Sequence, residues 1–229
     1  MHWEWLGHYI PLLVHGLYLT IILWIGSVVI GGVMSVPIAL VQVTGPWWLK
    51  YPARAYCTFM RGTPLLIQLW LIYYGIGSLF PGIPGIRTSF LWPILKEGFY
   101  YAVLAFSLNF AGYIGEILRG AFLGVPKGEL EAARAIGMSP FMVLRRVWLP
   151  RAVLQSLPTL AGEIVGQMKA TPLAYTITVM DLMGAKAKIT SDTYIMYEPL
   201  ILVAVIYMIL TFFITQAFGY VEKLIPQRR

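Results

Sequence analysis

Long apolar runs constrain the fold of this chain more than any other feature of its sequence. Hydrophobic residues make up 59% of the 229 residues and charged residues only 12%, whereas soluble domains carry roughly 25% charged residues. A helix that crosses a bilayer needs about 20 mostly apolar residues, and five stretches meet this requirement, at roughly 12–43, 53–79, 98–122, 152–179 and 200–220. The sequence therefore predicts an all-α integral membrane protein with about five transmembrane helices in a single domain, 1–229.

The composition also excludes several classes of function. One cysteine and three histidines are too few for a disulfide framework or a multi-residue metal site. The net charge of +7 would suit a nucleic-acid partner, but the basic residues gather at the ends of the apolar runs, where they report orientation in a membrane. We therefore expect contact with a lipid bilayer, and we expect neither a bound metal nor nucleic acid.

Basic residues predict how the chain crosses the membrane, because cytoplasmic loops carry an excess of Lys and Arg. No Lys or Arg precedes the first apolar run, whereas Lys50 and Arg54 follow it. The N-terminus is therefore expected outside the cytoplasm. Alternation then places the most basic segment, 119–151, on the cytoplasmic side, together with the tail that ends in Arg228 and Arg229.

The segment 123–151 is predicted to fold as two short helices outside the lipid. Pro126 ends the third span because proline lacks an amide proton and clashes with a preceding helical turn. Glu129 lies in the first turn of the first short helix, where an acidic residue favours the helix dipole, and Gly137 suits the left-handed residue that ends this helix. Ser139 and the proline after it then begin the second helix as its cap and first residue.

The order of residues in this segment resembles the EAA loop of permease subunits of ABC importers. The shared pattern is Glu131-Ala132-Ala133, Gly137 and Leu149-Pro150, with Val147 where that family more often has Ile. Other stretches resemble the polar amino acid branch of the family, and within it the M-type subunits of histidine/lysine/arginine/ornithine and opine permeases: Arg61-Gly62-Thr63-Pro64, 115–120, 125–128 and the Asp181-Leu182 region. The resemblance covers nearly the whole chain.

The resemblance implies a pore subunit that is not an enzyme and binds no cofactor. It would lie in the bacterial inner membrane and pair with a paralogous permease subunit, as a heterodimer, or with a second copy of itself. Two cytoplasmic subunits would bind ATP and Mg, and a periplasmic binding protein would deliver the substrate. The chain agrees with this division of work, because it contains no G-x-x-x-x-G-K-[ST] loop for holding phosphates.

The resemblance also assigns a coupling role to Glu131, Ala132, Ala133, Arg134 and Gly137. In such importers the EAA loop is a short helix in a groove of the ATPase, which can pass on ATPase closure as a rigid-body movement. The apolar face expected to dock is formed by Leu130, Ala133, Ile136 and Met138. The alternative is an amphipathic helix that lies on the membrane surface.

Ionisable residues inside a membrane are costly and usually functional, which singles out Glu163. It lies 13 residues after Pro150, and at about 1.5 Å per residue this places it roughly 20 Å along the fourth span, near or past its middle. We expect it to hold the cationic group of a basic amino acid. The alternatives are an ion pair with Arg61 or Lys169, or a protonated, hydrogen-bonded carboxyl group.

Arg61, Gly62 and Thr63, with the proline that follows, predict an interrupted helix in the second span. The free amides at such a break can receive the α-carboxylate of an amino acid. The alternative is a packing kink whose freed backbone groups are satisfied within the protein.

Three further features are candidates with open roles. Glu116 and Arg119, three residues apart on one helix face, predict a structural clasp or a gate. Asn109 either faces the transport path or bonds a neighbouring helix. Thr171 is a candidate substrate contact because 169–172 resembles the Lys-Asp-Thr-Ser stretch of the branch, although Ala replaces its acidic residue.

The sequence thus predicts the permease subunit of an ATP-driven importer of amino acids, with basic amino acids or opines as the expected substrates. A permease for glutamine, glutamate or other polar amino acids is the alternative within the same family. A secondary transporter or channel without an ATPase is the alternative from another class. The absence of an evident inverted repeat disfavours a secondary transporter, and the EAA spacing disfavours both.

Overall fold

The structure, a computed structural model, describes residues 5–224, and in this range it is helical with no β-strand. The predicted all-α class is confirmed. Arg228 and Arg229, on which the orientation of the tail partly rests, lie outside the described residues. The α-helices are α1 Leu6–Thr44, α2 Trp47–Gly62, α3 Leu65–Trp70, α4 Gly77–Leu79, α5 Trp92–Leu95, α6 Gly98–Gly124, α7 Lys127–Ala135, α8 Pro140–Val143, α9 Leu149–Ala170, α10 Leu182–Thr193 and α11 Tyr197–Leu224.

The helix α6 is the centre of the molecule, and α1, α2 and α9 pack around it. Small residues allow the close approach, as is typical of helix pairs in lipid. A Cβ atom at Gly31 of α1 would lie 2.6 Å from the Ser107 carbonyl oxygen of α6, whereas one at Gly32 would meet nothing within 4 Å. Of the glycine pair, only Gly31 is therefore required for packing.

The predicted second span, 53–79, is not one continuous helix. The backbone is extended at Thr63 (φ −115°, ψ 144°) and Pro64 (φ −63°, ψ 132°), so α2 ends at Gly62 and a new helical stretch begins at Leu65. The predicted interruption is present, and the start of the span near residue 53 stays a prediction. The apolar stretch long enough to cross a membrane is Leu65–Gly82, because α2 carries basic residues along one face.

By length and composition, four helical stretches within residues 5–224 can cross a membrane: Leu6–Thr44, Leu65–Gly82, Gly98–Gly124 and Tyr197–Leu224. The predicted fourth span, 152–179, is shorter than expected, because α9 ends at Ala170 and a 3₁₀ segment, Thr171–Ile177, follows. The helix α9 is not one of the four stretches that can cross a membrane, because it contains too many polar residues. Polar membrane helices face the protein interior or water, and α9 indeed packs on α6 and α11.

The helix α10 begins at a buried carboxylate. Asp181 Oδ1 accepts a hydrogen bond from the Gly184 amide (2.8 Å), while the Leu182 amide donates to the Thr20 hydroxyl of α1 (3.2 Å). Asp181 is fully buried, and its Oδ2 has no hydrogen-bond partner among the described residues. Burial raises the pKa of Asp181 to about 7, although the Gly184 amide acts to lower it.

The close contact between α1 and α6 predicts different effects for two neighbouring glycines. Gly31→Ala should destabilise the protein by about 1–3 kcal/mol, the usual cost of overpacking, because its methyl group would meet the Ser107 carbonyl. Gly32→Ala is the matched control and should not destabilise it. Thermal unfolding of the purified proteins in detergent measures both, and equal midpoints for the two variants would contradict the packing assigned to Gly31.

The raised pKa of Asp181 predicts a pH dependence of stability. The unfolded carboxyl titrates near pH 4 and the folded one at about 7, so the folded state binds more protons in between. Stability should therefore fall as pH rises from about 4 to about 7. We expect a shallower fall between pH 5 and 8 for Asp181→Asn, measured as the thermal midpoint.

Asp192→Asn is the control for this experiment. The hydrogen bond from Lys188 holds the pKa of Asp192 below its usual value, so this group stays ionised between pH 5 and 8. The control should keep the pH slope of the wild-type protein. If Asp181→Asn also keeps that slope, Asp181 does not titrate in this range.

Candidate functional site

A polar groove lies between α2 and α6. It forms a cavity of about 320 Å³ lined by Arg54, Thr58, Arg61, Glu116 and Arg119. The three α2 residues are four and three positions apart, so they share one face of that helix. A second cavity continues from the Glu116–Arg119 pair to the start of α9. Arg54, which the sequence relates only to membrane orientation, therefore also lines a candidate site.

Glu116 and Arg119 form an ion pair within the groove. The Arg119 Nε donates to Glu116 Oε2 at 2.9 Å and its Nη2 donates to Oε1 at 2.5 Å. Both side chains are about one-quarter exposed. The predicted pairing is therefore present, and it neutralises the charge of Arg119, while the role of the pair as a clasp or gate stays a prediction.

Arg61 lies beside an aromatic ring and not against a carboxylate. Its guanidinium carbon is 6.0 Å from the centre of the Tyr113 ring. Glu163 of α9 is half-buried, and Arg61 is the charged group whose field acts on it. Within residues 5–224, neither Arg61 nor Glu163 has an opposite charge within 4.0 Å. The alternative of a direct Arg61–Glu163 or Lys169–Glu163 ion pair is thus not formed in this structure.

Gln68 holds the break between α2 and α3, a role that no motif in the sequence predicts. Its Nε2 donates to the carbonyl oxygen of Met60 (3.0 Å) and to the carbonyl and hydroxyl oxygens of Thr63 (3.1 and 2.6 Å). Asn109 of α6 donates to Met60 O (3.1 Å) and to Gln68 Oε1 (3.0 Å). The signal in the sequence was a lone glutamine in an apolar run, five residues after Thr63.

Hydrogen bonds within the protein engage three of the candidate substrate contacts, which are Asn109, Thr63 and Thr171. Both N–H groups of Asn109 are occupied within the protein, which favours its alternative role of bonding a neighbouring helix. Thr63 is also engaged, whereas Gly62 borders open space. Thr171 is fully buried and bonds the Met168 carbonyl and the Tyr207 hydroxyl. In this structure Arg61 and Gly62 remain open to a ligand.

The segment 123–151 folds as the two short helices that the sequence predicts. Gly137 has φ +84°, and the helix end carries two bonds, Met138 N–H to Ala133 O (3.2 Å) and Gly137 N–H to Arg134 O (2.9 Å). This is a Schellman motif. Ser139 caps α8 by accepting a bond from the Met142 amide at 3.4 Å.

The apolar docking face predicted on this segment is only partly correct. Ala133 is 5% exposed and Leu130 packs against the core of this chain, because α7 turns this side towards α6 and α9. Ile136 is 75% exposed, as predicted for a docking residue, and Phe141, which was not predicted, is 70% exposed. Glu131, Ala132, Arg134 and Gly137 are also exposed.

The segment is firmly attached to the membrane helices. Arg151 Nε donates to Glu129 Oε2 at 2.8 Å, and the Trp148 indole donates to the Phe122 carbonyl of α6 at 2.9 Å. A π-helical turn, Leu144–Trp148, joins α8 to α9 with helical backbone angles at both junctions. The helical path is therefore unbroken from Pro140 to Glu163.

These features define a membrane protein of several helices, with a polar groove between α2 and α6 and two short helices attached at its surface. The model of one family matches residues 31–226, the "Binding-protein-dependent transport system inner membrane component". The chain belongs to this family, and it is the permease subunit of an ABC importer.

Similar proteins agree with this assignment. The octopine transport system permease protein OccM of Rhizobium meliloti is 42% identical over 218 residues, which cover 95% of this chain and 87% of that protein. The histidine/lysine/arginine/ornithine transport system permease protein HisM of Escherichia coli K12 is 36% identical over 91% of this chain and 86% of its own length. A solved structure described as "an amino acid ABC transporter with histidines" has a TM-score of 0.81 at 32% identity and covers 98% of this chain and 99% of that one.

Proposed function

We propose that this permease subunit carries amino acids or opines with a cationic side chain, and that Glu163 binds the cation. The observation that carries the proposal is a half-buried carboxylate on α9 with no opposite charge within 4.0 Å in the described chain. Two relatives are named as permease proteins for octopine and for histidine, lysine, arginine and ornithine. These names support a cationic substrate.

The half-buried carboxylate of Glu163 needs a partner that compensates for its lost hydration. A carboxylate removed from water loses solvation, and this loss is offset only by a cation, a proton or hydrogen bonds. The Glu163 carboxylate accepts no hydrogen bond from another residue in the described part of the chain. A guanidinium, ammonium or imidazolium group of a substrate would supply the missing partner, while the Arg61 guanidinium would receive its α-carboxylate.

We further propose that the exposed side of α7 and α8 docks onto an ATP-binding subunit. Ile136 and Phe141 supply exposed apolar surface, and Glu131 and Arg134 supply charges beside it. Because α8 continues into α9, a push on this surface would move Glu163 as part of one body.

The remaining parts of the importer follow the family. Two partner subunits would bind ATP and Mg, and a periplasmic binding protein would deliver the substrate. The other permease subunit would be a paralogue or a second copy. The distribution of basic residues supports an N-terminus in the periplasm and a C-terminus in the cytoplasm.

Loss of the Glu163 charge tests the cation site. Glu163→Gln should lower the stimulation of ATP hydrolysis by arginine and histidine about tenfold or more, because a charged hydrogen bond contributes about 1.5–3 kcal/mol. Glu222→Gln, an acidic residue on α11, is the control and should behave as the wild-type protein. Both variants should assemble with their partners. Unchanged uptake of arginine and histidine by Glu163→Gln would show that the cation binds elsewhere.

A substitution at Gly137 tests the coupling surface. Gly137→Asp should abolish transport while membrane insertion is preserved, because φ +84° disfavours a side chain and a new charge would face the ATPase. Gly128→Asp is the matched control, since Gly128 is exposed, lies in the first turn of α7 and has free space around it. Uptake assays in membrane vesicles measure both. Normal uptake by Gly137→Asp would refute the docking role of this surface.

A further inference from the structure

An apolar groove runs along the C-terminal part of the stretch Leu65–Gly82, where this stretch packs beside α6. Its cavity has a volume of about 210 Å³. Most of the lining side chains are aliphatic or aromatic and come from these two elements: Ile72, Ile76, Phe80, Tyr100 and Leu104. Ile76 is 50% exposed and Leu104 is 47% exposed. The groove is therefore open to whatever surrounds the protein at this level.

At one end the apolar groove meets a second cavity that carries positive charge. This cavity of about 400 Å³ shares Leu95 and Tyr101 with the apolar groove and is also lined by Trp92 and Lys96. The Tyr101 hydroxyl donates to the Leu95 carbonyl at 2.6 Å, so the wall between the two cavities is fixed to α6. The guanidinium carbon of Arg87 lies 5.8 Å from the centre of the Trp92 ring, which brings a second positive charge to this end.

The surroundings of the apolar groove limit what can fill it. The stretch Leu65–Gly82 is long and apolar enough to cross a membrane, so the groove lies at the level of the hydrocarbon chains. Trp and Tyr gather at the boundary between hydrocarbon and water, and Trp92 and Tyr101 stand where the apolar groove meets the charged cavity. An occupant that matches both parts is apolar along the groove and anionic beside Lys96.

We propose that the two cavities together bind one phospholipid, with an acyl chain in the apolar groove and its phosphate at Lys96. The orientation proposed above places this lipid in the periplasmic leaflet. The acyl chain contributes little to the affinity, because bulk lipid is as apolar as the groove. The preference for this site therefore comes from the phosphate, which a lysine binds as a point charge.

Glu97 competes with the phosphate for Lys96. Its carboxylate lies 3.9 Å from the Lys96 Nζ, and both side chains are more than half exposed. An exposed ion pair of this kind contributes little to stability. A phosphate can therefore replace the carboxylate at Lys96 at small cost, and removal of the Glu97 charge should favour the lipid.

Photolabelling of the assembled permease–ATPase complex in bilayer discs tests the site. The probe is phosphatidylglycerol with a diazirine on one acyl chain, and mass spectrometry locates the labelled residues. Labelling of residues 72–80 and 94–104 should saturate as the mole fraction of probe rises. Ile76→Trp, whose larger side chain would fill the groove, should abolish this labelling. Val33→Trp, at an exposed position of α1, is the control and should leave it unchanged.

Labelling that rises in proportion to the mole fraction without saturating would show ordinary contact with bulk lipid and would overturn the proposal. Saturable labelling that persists in Ile76→Trp would overturn it too, because the acyl chain would then lie outside the groove.

Two variants at the charged end test the role of the phosphate. Lys96→Gln should raise the mole fraction of probe at half-saturation about fivefold, the usual contribution of one lysine beside an anionic lipid. Glu97→Gln should lower it, because the competing carboxylate is removed. Lys223→Gln, at the end of α11, is the control and should not change it. If neither Lys96→Gln nor Glu97→Gln shifts the half-saturation, the phosphate is not bound at Lys96.

Competition with unlabelled lipids gives a second test of the phosphate that needs no substitution. Phosphatidylethanolamine should displace the probe, whereas diacylglycerol, which has the same acyl chains and no phosphate, should do so about fivefold less effectively. Equal displacement by the two lipids would overturn the assignment of the phosphate to Lys96.

The other permease subunit of the importer is the alternative cover for the apolar groove. In that case no saturable labelling would appear, and Ile76→Trp would separate the two permease subunits in size-exclusion chromatography. Either result would overturn the lipid site. Both would leave the proposed function standing, because Glu163 and Arg61 line neither of the two cavities.

Discussion

The break between α2 and α3 depends on a requirement that governs all membrane proteins, which is that backbone polar groups away from water must find partners within the protein. Two extended residues, Thr63 and Pro64, interrupt the helical bonds here. Gln68 and Asn109 supply donors to the Met60 and Thr63 carbonyls. Because Asn109 belongs to α6, the same bonds fix the end of α2 against the central helix. The position of the arginine groove follows from this attachment.

The helices α8 and α9 are mechanically continuous. The Schellman motif at Gly137 and the cap at Ser139 turn the chain sharply between α7 and α8. The Glu129–Arg151 ion pair and the Trp148 bond to α6 hold both short helices to the membrane helices. A force applied at the exposed Ile136 and Phe141 would therefore reach Glu163 through packed helices and not through a flexible loop.

The sequence predicted features that depend on local chemistry. The left-handed Gly137, the cap at Ser139 and the interruption after Arg61 each follow from the properties of glycine, serine or proline in a turn. Features that depend on tertiary packing were missed. Hydropathy alone did not separate the apolar stretch Leu65–Gly82 from α2, which is apolar on one face only. The inward side of α7, with Ala133, could be seen only once α6 and α9 were placed beside it.

The same distinction holds for the site. Glu116 and Arg119 lie on one helix, so their spacing predicted their ion pair. Gln68 and Asn109 come from different helices, and no spacing rule connects residues 41 positions apart. For this reason the sequence left the role of Asn109 open and did not mention Gln68.

The coupling surface on α7 and α8 and the substrate site on α9 are expected to move as one body. Pulsed electron paramagnetic resonance tests this with spin labels at Ile136→Cys and Gly162→Cys, two exposed positions, in a Cys57→Ala background that removes the only native cysteine. The distance between the labels in the assembled importer should be the same without nucleotide and with ATP bound. A second distance that appears when ATP binds would contradict the claim, because α7 would then move independently of α9.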